Sequence, residues 1–328
     1  MDRAHPFDAL GPEAVLDAVE ALTGVRSDGR LLPLNSYENR VYMVGVEDAR
    51  PLIAKFYRPG RWSDEAIREE HAFAEELAAA EVPVVAPMRL DGDTLRYSHG
   101  FRVALFPMRG GRMLEADDRD VLRRLGTYLG RIHAVGAGGA FGHRPRLDPG
   151  DHGRAERDRI LAGGWVPPHL VEAYRTVTDD LLEAIAACWA RAGDVRQIRL
   201  HGDFHPGNVL QTDDGFHLVD LDDTRLGPAI QDLWMLLPGE REERESYLAA
   251  ILEGYRTFCE LDPRELHLIE PLRTLRIIRH AAWLAERWTD PAFPQAFPWF
   301  GEDRYWEEHL LALREQLAAL SEPPISAP

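Results

Sequence analysis

Apolar residues recur along this chain at two spacings, and the place where one gives way to the other divides it. In the first third, short apolar runs alternate with polar turns. Residues 12–22 repeat at helical spacing between a proline and Gly24. Residues 63–80 do so more strongly, with Ser63 placed as a cap. Five runs (31–34, 40–46, 52–57, 82–88 and 101–108) read as strands, with polar turns at 35–39, 58–60 and 91–93. After Arg109-Gly110-Gly111-Arg112 the spacing becomes helical over residues 118–135, 168–192, 241–260, 263–289 and 303–320. The Gly-, Pro-, Arg- and Asp-rich residues 136–164 read as a long surface connection with one helical turn. Residues 198–237 are the only strand-bearing part of this second half. The pattern predicts an α+β fold of two lobes. Residues 1–108 would hold a small mixed sheet with one main helix, and residues 109–328 a mostly helical lobe.

Composition sharpens this picture in three ways. A chain of 328 residues exceeds what one core usually serves, which agrees with two lobes. No apolar run has the length of a membrane span, and the first residues lack a signal peptide's apolar stretch, so no membrane association is expected. Two cysteines, Cys188 and Cys259, both in helical stretches, predict a reducing cytoplasm. A net charge of −17 disfavours nucleic acid and anionic membrane as partners. Any polyphosphate site must then be locally basic or metal-loaded. A monomer is expected.

The densest chemistry lies in residues 200–223. They read L-H-G-D-F-H-P-G-N-V-L, a turn at Asp213-Asp214-Gly215, then F-H-L-V-D-L-D-D. Asp203 and Asn208 stand five positions apart after an apolar segment, and Asp220 ends the next one. At this spacing a phosphoryl-transfer site collects one carboxylate for the acceptor hydroxyl and two oxygen ligands for magnesium. Asp203 is therefore the candidate proton acceptor. Asn208 and Asp220 are the candidate metal ligands, and Asp220 counts with Asp203 as catalytic. A lone aspartate in a turn is usually a cap or an Asx-turn, but three such residues at these intervals are rarer by chance. Asp222 and Asp223 either touch a second ion or, the safer expectation, form a solvated acidic loop. His201 is expected to be buried and structural, and His205 to orient Asp203 or to pack. No third histidine completes a zinc site. Asp232 is read as a support for the catalytic loop.

A second signal comes from the basic residues. Of 38 Lys and Arg side chains only one is a lysine, Lys55, and it sits inside an apolar strand. The ordinary explanation is a lysine snorkelling from an edge strand. A compact ammonium that reaches ATP phosphates, held by a helix carboxylate, explains better why arginine's wide fork was not used. Glu70 is the expected partner, with Glu69 in reserve. No glycine-rich phosphate loop precedes the second strand; residues 35–40 read N-S-Y-E-N-R, whose backbone N–H groups and Ser36 hydroxyl are the candidate phosphate contacts. Phe106 and Met108, at the end of the strand before the glycine pair, are assigned to the nucleotide as well. ATP and Mg²⁺ are the cofactors implied.

L-H-G-D-F-H-P-G-N-V-L with V-D-L-D-D resembles the aminoglycoside-phosphotransferase and choline-kinase branch of the protein-kinase-like fold. Further stretches narrow the resemblance: N-S-Y-E-N-R-V-Y, A-K-F-Y-R-P-G-R-W, G-R-I-H, G-P-A-I-Q-D-L-W-M-L-L and L-R-I-I-R-H-A-A-W-L-A-E-R-W. Together they are similar to a bacterial stress-response subfamily of cytoplasmic serine/threonine protein kinases, over nearly the whole chain, from about Leu31 to Phe300. The resemblance implies proteins with Ser/Thr acceptors as substrates, possible autophosphorylation, and the roles given above for Ser36, Lys55, Asp203, Asn208 and Asp220. Two departures from conventional protein kinases stand out. Gly202 replaces an arginine, which argues against regulation by a phosphate docked there. Asp220-Leu221-Asp222 replaces D-F-G, which argues against a phenylalanine switch.

Other readings remain open at this point. A small-molecule kinase with the same machinery is the nearest rival, and an acidic cleft would suit a cationic substrate. Asp220-x-Asp222-x-Thr224 also matches the nucleophile motif of haloacid-dehalogenase-type phosphatases. That chemistry normally wants a downstream lysine, and none follows residue 55. A catalytically dead binding module is the option outside enzymes.

Overall fold

The computed structural model describes residues 7–115 and 118–326. The chain forms two compact units. One comprises Met1–Asp118, Arg131–Pro145 and Arg199–Leu226; the other comprises Arg119–Gly130, Arg146–Ile198 and Gly227–Pro328.

The first unit opens with α1 (Pro12–Thr23). It starts with proline, where the missing N–H costs nothing, and stops at Gly24, whose N–H still reaches Glu20 O at 2.8 Å and whose φ of +70° turns the chain out of the helix. Strands β1 (Ser27–Pro33), β2 (Arg40–Val46), β3 (Leu52–Phe56), β4 (Arg96–Ser98) and β5 (Phe101–Pro107) form one sheet in the order β1-β2-β3-β5-β4. Its ladders are all antiparallel, where a mixed sheet was expected. The β1–β2, β2–β3 and β4–β5 connections are too short for a parallel crossover.

Alternation along the strands gives the sheet two different faces. Val44, Ala54, Phe56, Val103 and Leu105 pack with Val15, Ala18 and Val19 of α1. On the other face Tyr57 and Ala104 meet Ile67 of α2 (Asp64–Ala79), and Lys55 shares that face with Ala104, its cross-strand partner. Ser63 caps α2 as the pattern predicts, accepting from Ala66 N at 3.2 Å.

Residues 82–88 do not form a strand. Pro83 and Pro87 remove the donors that a ladder needs, leaving a parallel bridge between Val84 and Leu218. β4 escaped the pattern because it is three residues long and exposes Tyr97. β6 (Arg112–Met113), β8 (Val209–Gln211) and β9 (Phe216–Leu218) make a second sheet in the order β6-β8-β9. β7 (Ile198–Leu200) pairs with β10 (Arg225–Gly227).

The remaining helices are α3 (Arg119–Gly136), α4 (Pro149–Ala162), α5 (Val171–Ala192), α6 (Ile230–Leu233), α7 (Arg241–Tyr255), α8 (Ile269–Arg287), α9 (Ala292–Ala296) and α10 (Asp303–Ser321). In the second unit Tyr174, Leu181 and Ile185 of α5 pack with Ile278 and Ala281 of α8, Trp306 and Leu313 of α10, and Phe293 and Phe300. α4 corrects the reading of residues 136–164 as a surface connection. Its second half, A-E-R-D-R-I-L-A, is rich in the good helix formers Ala, Glu, Arg and Leu and buries Ile160. α5 starts three residues later than expected, because Pro167 and Pro168 hold a turn closed by Leu170 N and Pro167 O. Residues 263–268 form a 3₁₀ turn before α8 rather than its first turns.

Candidate active site

β3 carries Lys55 into the interior beneath α2, where the residue is 6% exposed. α2 turns Ile67, Glu70, His71 and Ala74 inward at helical spacing. The Lys55 ammonium meets three carboxylates: Asp222 Oδ1 at 3.0 Å, Asp220 Oδ1 at 3.3 Å and Glu70 Oε1 at 3.4 Å. Glu70 is therefore the helix partner. Glu69 is engaged elsewhere, accepting from the backbone N–H groups of Gly142, His143 and Arg144. Burial alone would lower the pKa of Lys55, but Asp222, then Glu70, Tyr57 and Asp220, outweigh it and raise it well above the ordinary value. The group is a fixed cation. Its Nζ lies 4.9 Å from the Tyr57 ring, which adds to the same preference for charge.

The hairpin that carries Asp203, Asn208 and Asp220 follows from β7 and the β8–β9 pair. Gly202 sits at φ +87°, and a Cβ there would fall 2.1 Å from Asp223 O, so no side chain fits. His201 is buried, with Nε2 3.1 Å from Val219 O, the structural role expected of it. The backbone N–H of Gly207 donates to His205 Nδ1 at 3.0 Å. In the neutral ring the proton then sits on Nε2, which faces Asp203 Oδ2 at 3.4 Å. His205 thus turns its Nε2 towards the Asp203 carboxylate. Asn208 Nδ2 donates to Asp203 O at 2.9 Å, and Val219 N donates to Asn208 O at 3.0 Å. The β8–β9 register brings Asn208 beside the residue that precedes Asp220 in this way. Asp220 has φ +61°, a left-handed conformation that aspartate tolerates better than most residues, and its side chain is 55% exposed.

The donor set suits a hard divalent cation. Asn208 has its amide nitrogen occupied by Asp203 O, which leaves the amide oxygen as the ligand end, and Asp220 adds an accessible carboxylate. Among the described residues no three His, Cys, Asp or Glu converge on one metal position. Two protein oxygens with water and phosphate completing the shell is the habit of magnesium.

The other nucleotide candidates are placed less closely. Ser36 lies in the β1–β2 turn, its hydroxyl 3.4 Å from Asn39 O. Phe106, on the Lys55 face of β5, meets the ring of His71 edge-on at 6.4 Å. Met108, just beyond β5, is exposed.

Several residues of this site were not foreseen. Asp222 belongs to no solvated loop: it is 3% exposed and paired with Lys55 and with Arg61. Burial would raise its pKa, but Arg61 and Lys55 hold it at about 2. Asp223 pairs with Arg61 at 3.2 Å and Arg225 at 2.8 Å. Arg61 stands in the R-P-G-R-W stretch, whose other arginine, Arg58, donates from Nε to Glu38 O at 2.8 Å and from its backbone to Asn39 Oδ1 at 3.1 Å. The stretch thereby anchors the turn that holds Ser36 and supplies the cation for Asp222. Arg144 was hidden in a segment read as a surface connection. Asp232 is wholly buried at the start of the short helix α6, in the other unit.

Comparison with known proteins gives these positions a context. The model of the phosphotransferase enzyme family matches residues 30–269. Stress response kinase A of Salmonella choleraesuis is 46% identical over 324 residues, covering 99% of this chain and 98% of that protein. Serine/threonine protein kinase RdoA of Salmonella typhimurium is 45% identical over 324 residues, with the same coverage. Among solved structures, amicoumacin kinase hAmiN in complex with AMP-PNP, Ca²⁺ and Ami shares the fold with a TM-score of 0.74. Its identity is 21%, over 96% of this chain and 94% of that one.

Proposed function

This chain belongs to the phosphotransferase enzyme family and is a kinase, and from that premise we propose that it transfers the γ-phosphate of ATP, with Mg²⁺, to serine or threonine hydroxyls of proteins, its own included. The observation that carries the reading is the meeting of Lys55 with Glu70 and Asp220, residues 15 and 165 positions away in the chain. A fixed ammonium beside a metal-ligating carboxylate is what binding and aligning a triphosphate requires. In this reading Lys55, steadied by Glu70, contacts the phosphates, with Ser36, Phe106 and Met108 as further nucleotide contacts. Asn208 and Asp220 hold the cation, which supplies charge neutralisation at the transferred group when bound. Asp203, oriented by His205, accepts the proton of the acceptor hydroxyl. By function residues 1–108 serve as the nucleotide-binding lobe and 109–328 as the catalytic and substrate lobe, a division that does not coincide with the compact units, since 199–226 group with 1–118.

A protein acceptor is supported by 45–46% identity over nearly full length to proteins named as stress response and serine/threonine kinases. No described helix is long and apolar enough to cross a membrane. That fits a cytoplasmic location, as do two free cysteines. The family match removes the phosphatase alternative.

One observation favours a second reading. The tight backbone at Gly202 leaves no room for the arginine of conventional protein kinases, a feature the resemblance associates with small-molecule kinases. The two readings part in one assay: labelled ATP and Mg²⁺ with the chain itself, a generic basic protein, and a set of amino-sugars and amino-alcohols. Label on protein, together with loss of Mg²⁺-dependent nucleotide binding in Asp220→Ala, is the expected result. Label only on a small molecule would establish the rival.

A further inference from the structure

The segment that follows α3 is tied to α2 more closely than a surface connection needs. Gly142, His143 and Arg144 turn their backbone N–H groups to the Glu69 carboxylate at 2.7, 2.9 and 2.9 Å. The Arg144 side chain then enters the interior, with no part of it exposed. Its Nε donates to Ala66 O at 2.7 Å, its Nη1 to the carbonyl of Asp222 at 2.7 Å, and its Nη2 to Glu70 Oε2. The Trp62 ring lies 4.4 Å from its guanidinium. All these residues belong to one unit.

We propose that Arg144 is a positioning residue for phosphoryl transfer: it holds Glu70 in the orientation that serves Lys55, and it ties α2 to the backbone two residues beyond Asp220. The proposal rests on the reading of Lys55 as the phosphate-contacting group. Glu70 uses one oxygen for Lys55 and the other for Arg144, so its carboxylate plane is fixed from both sides. Without Arg144 that plane is free to turn. Asp222 is already the nearest anion to the ammonium at 3.0 Å, and it would then draw Lys55 away from Asp220. The guanidinium fork matters because its three acceptors are reached from three different nitrogens spread over a plane, whereas an ammonium gathers its donors on one atom.

A second latch keeps the same helix in place. Arg199 pairs with Glu76 of α2 at 2.7 Å and lies 4.8 and 5.8 Å from the rings of Phe73 and Phe141. α2 is therefore gripped at Glu69 and Glu70 and again at Glu76. The alignment of Lys55 is built in.

The test measures KM for ATP and kcat separately, with thermal midpoints, in Glu70→Gln, Arg144→Lys, Arg144→Met and the Glu70→Gln/Arg144→Met double variant. Glu70→Gln probes the underlying reading and is expected to raise KM for ATP about tenfold or more. An unchanged KM there would overturn that reading, and the proposal with it. Given that effect, Arg144→Lys is expected to raise KM for ATP by a similar factor although the charge is kept. Arg144→Lys with wild-type kinetics would overturn the role of Arg144 alone. The double variant is expected to match Glu70→Gln in KM, because Arg144 acts through Glu70. Losses that multiply would make Arg144 a purely structural residue and overturn the proposal. Should Arg144→Met fail to fold, Arg144→Lys and the double variant, which leaves no unpaired buried charge, still decide.

Discussion

Two buried regions, one in each compact unit, are built from opposite chemistry: the centre of the helical unit, and the surroundings of α2 in the other, beside the apolar core of α1 and the sheet. In the helical unit the buried centre is aromatic and aliphatic: Trp306 lies 5.4 Å from Phe300 and 6.0 Å from Tyr174, and its indole N–H finds Phe300 O at 3.1 Å. In the other unit the closest buried contacts around α2 are ionic, with Lys55, Arg61 and Arg144 laced among Glu70, Asp222 and Asp223. Buried ion pairs contribute little net stability, because desolvation offsets most of the attraction, although losing one partner is costly. Apolar burial has no such offset. The difference teaches where to look for each property: stability in the apolar clusters, fixed side-chain geometry in the charged one.

Three variants sharpen or break that division. The largest effect is expected from Asp203→Ala, which should lower kcat about 10²–10⁴-fold while the thermal midpoint scarcely moves. Its side chain is partly exposed and fills no core position. Trp306→Ala should do the reverse. It empties a fully buried indole site and is expected to cost about 3–5 kcal/mol of unfolding free energy, read by denaturant titration. The KM for ATP of the protein that remains folded should stay unchanged. A change in KM comparable to that of Glu70→Gln would break the comparison.

The smallest effect concerns pH. His71 sits buried between the Tyr57 hydroxyl at 2.7 Å and Thr94 Oγ1 at 2.8 Å. Burial first, then Lys55 and Arg144, lowers its pKa from 6.5 to about 3. The unfolded chain therefore binds the extra proton between those two values, so stability is full above pH 6.5 and falls as the pH drops towards 3. Asp222 acts with the same sign over a lower window, its contribution present above 3.8 and lost as the pH falls through about 2. His71→Gln should remove about 2–3 kcal/mol of the stability lost between pH 7 and 4.5 and more down to its folded value, leaving only the loss below about pH 3 in place. Equal pH slopes in variant and wild type, measured by denaturant midpoints, would show that His71 is not held neutral.

What could be read in the sequence was whatever leaves a local mark. The caps of α1 and α2, the period-two strands β2, β3 and β5, and the helical stretch of α10 all follow from neighbouring residues alone. Lys55 stood out by being the single lysine, and Asp203, Asn208 and Asp220 by intervals within one hairpin. The hidden part depends on residues far apart in the chain. Arg144 lies 74 positions from Glu70, and nothing in a Gly- and Pro-rich stretch signals that one arginine turns inward. Asp222 looked solvated because its burial is decided by Arg61, 161 positions away. Residues 82–88 misled for the converse reason: the apolar pattern is that of a strand, but two prolines remove the donors.

The most direct measurement of the central claim is phosphosite mapping after incubating the chain with ATP, Mg²⁺ and a cell extract, wild type against Asp203→Ala. Phosphoserine and phosphothreonine sites, on extract proteins or on the chain itself, are expected to appear with the wild type and to vanish with the variant. Identical protein phosphorylation in the two samples would contradict it.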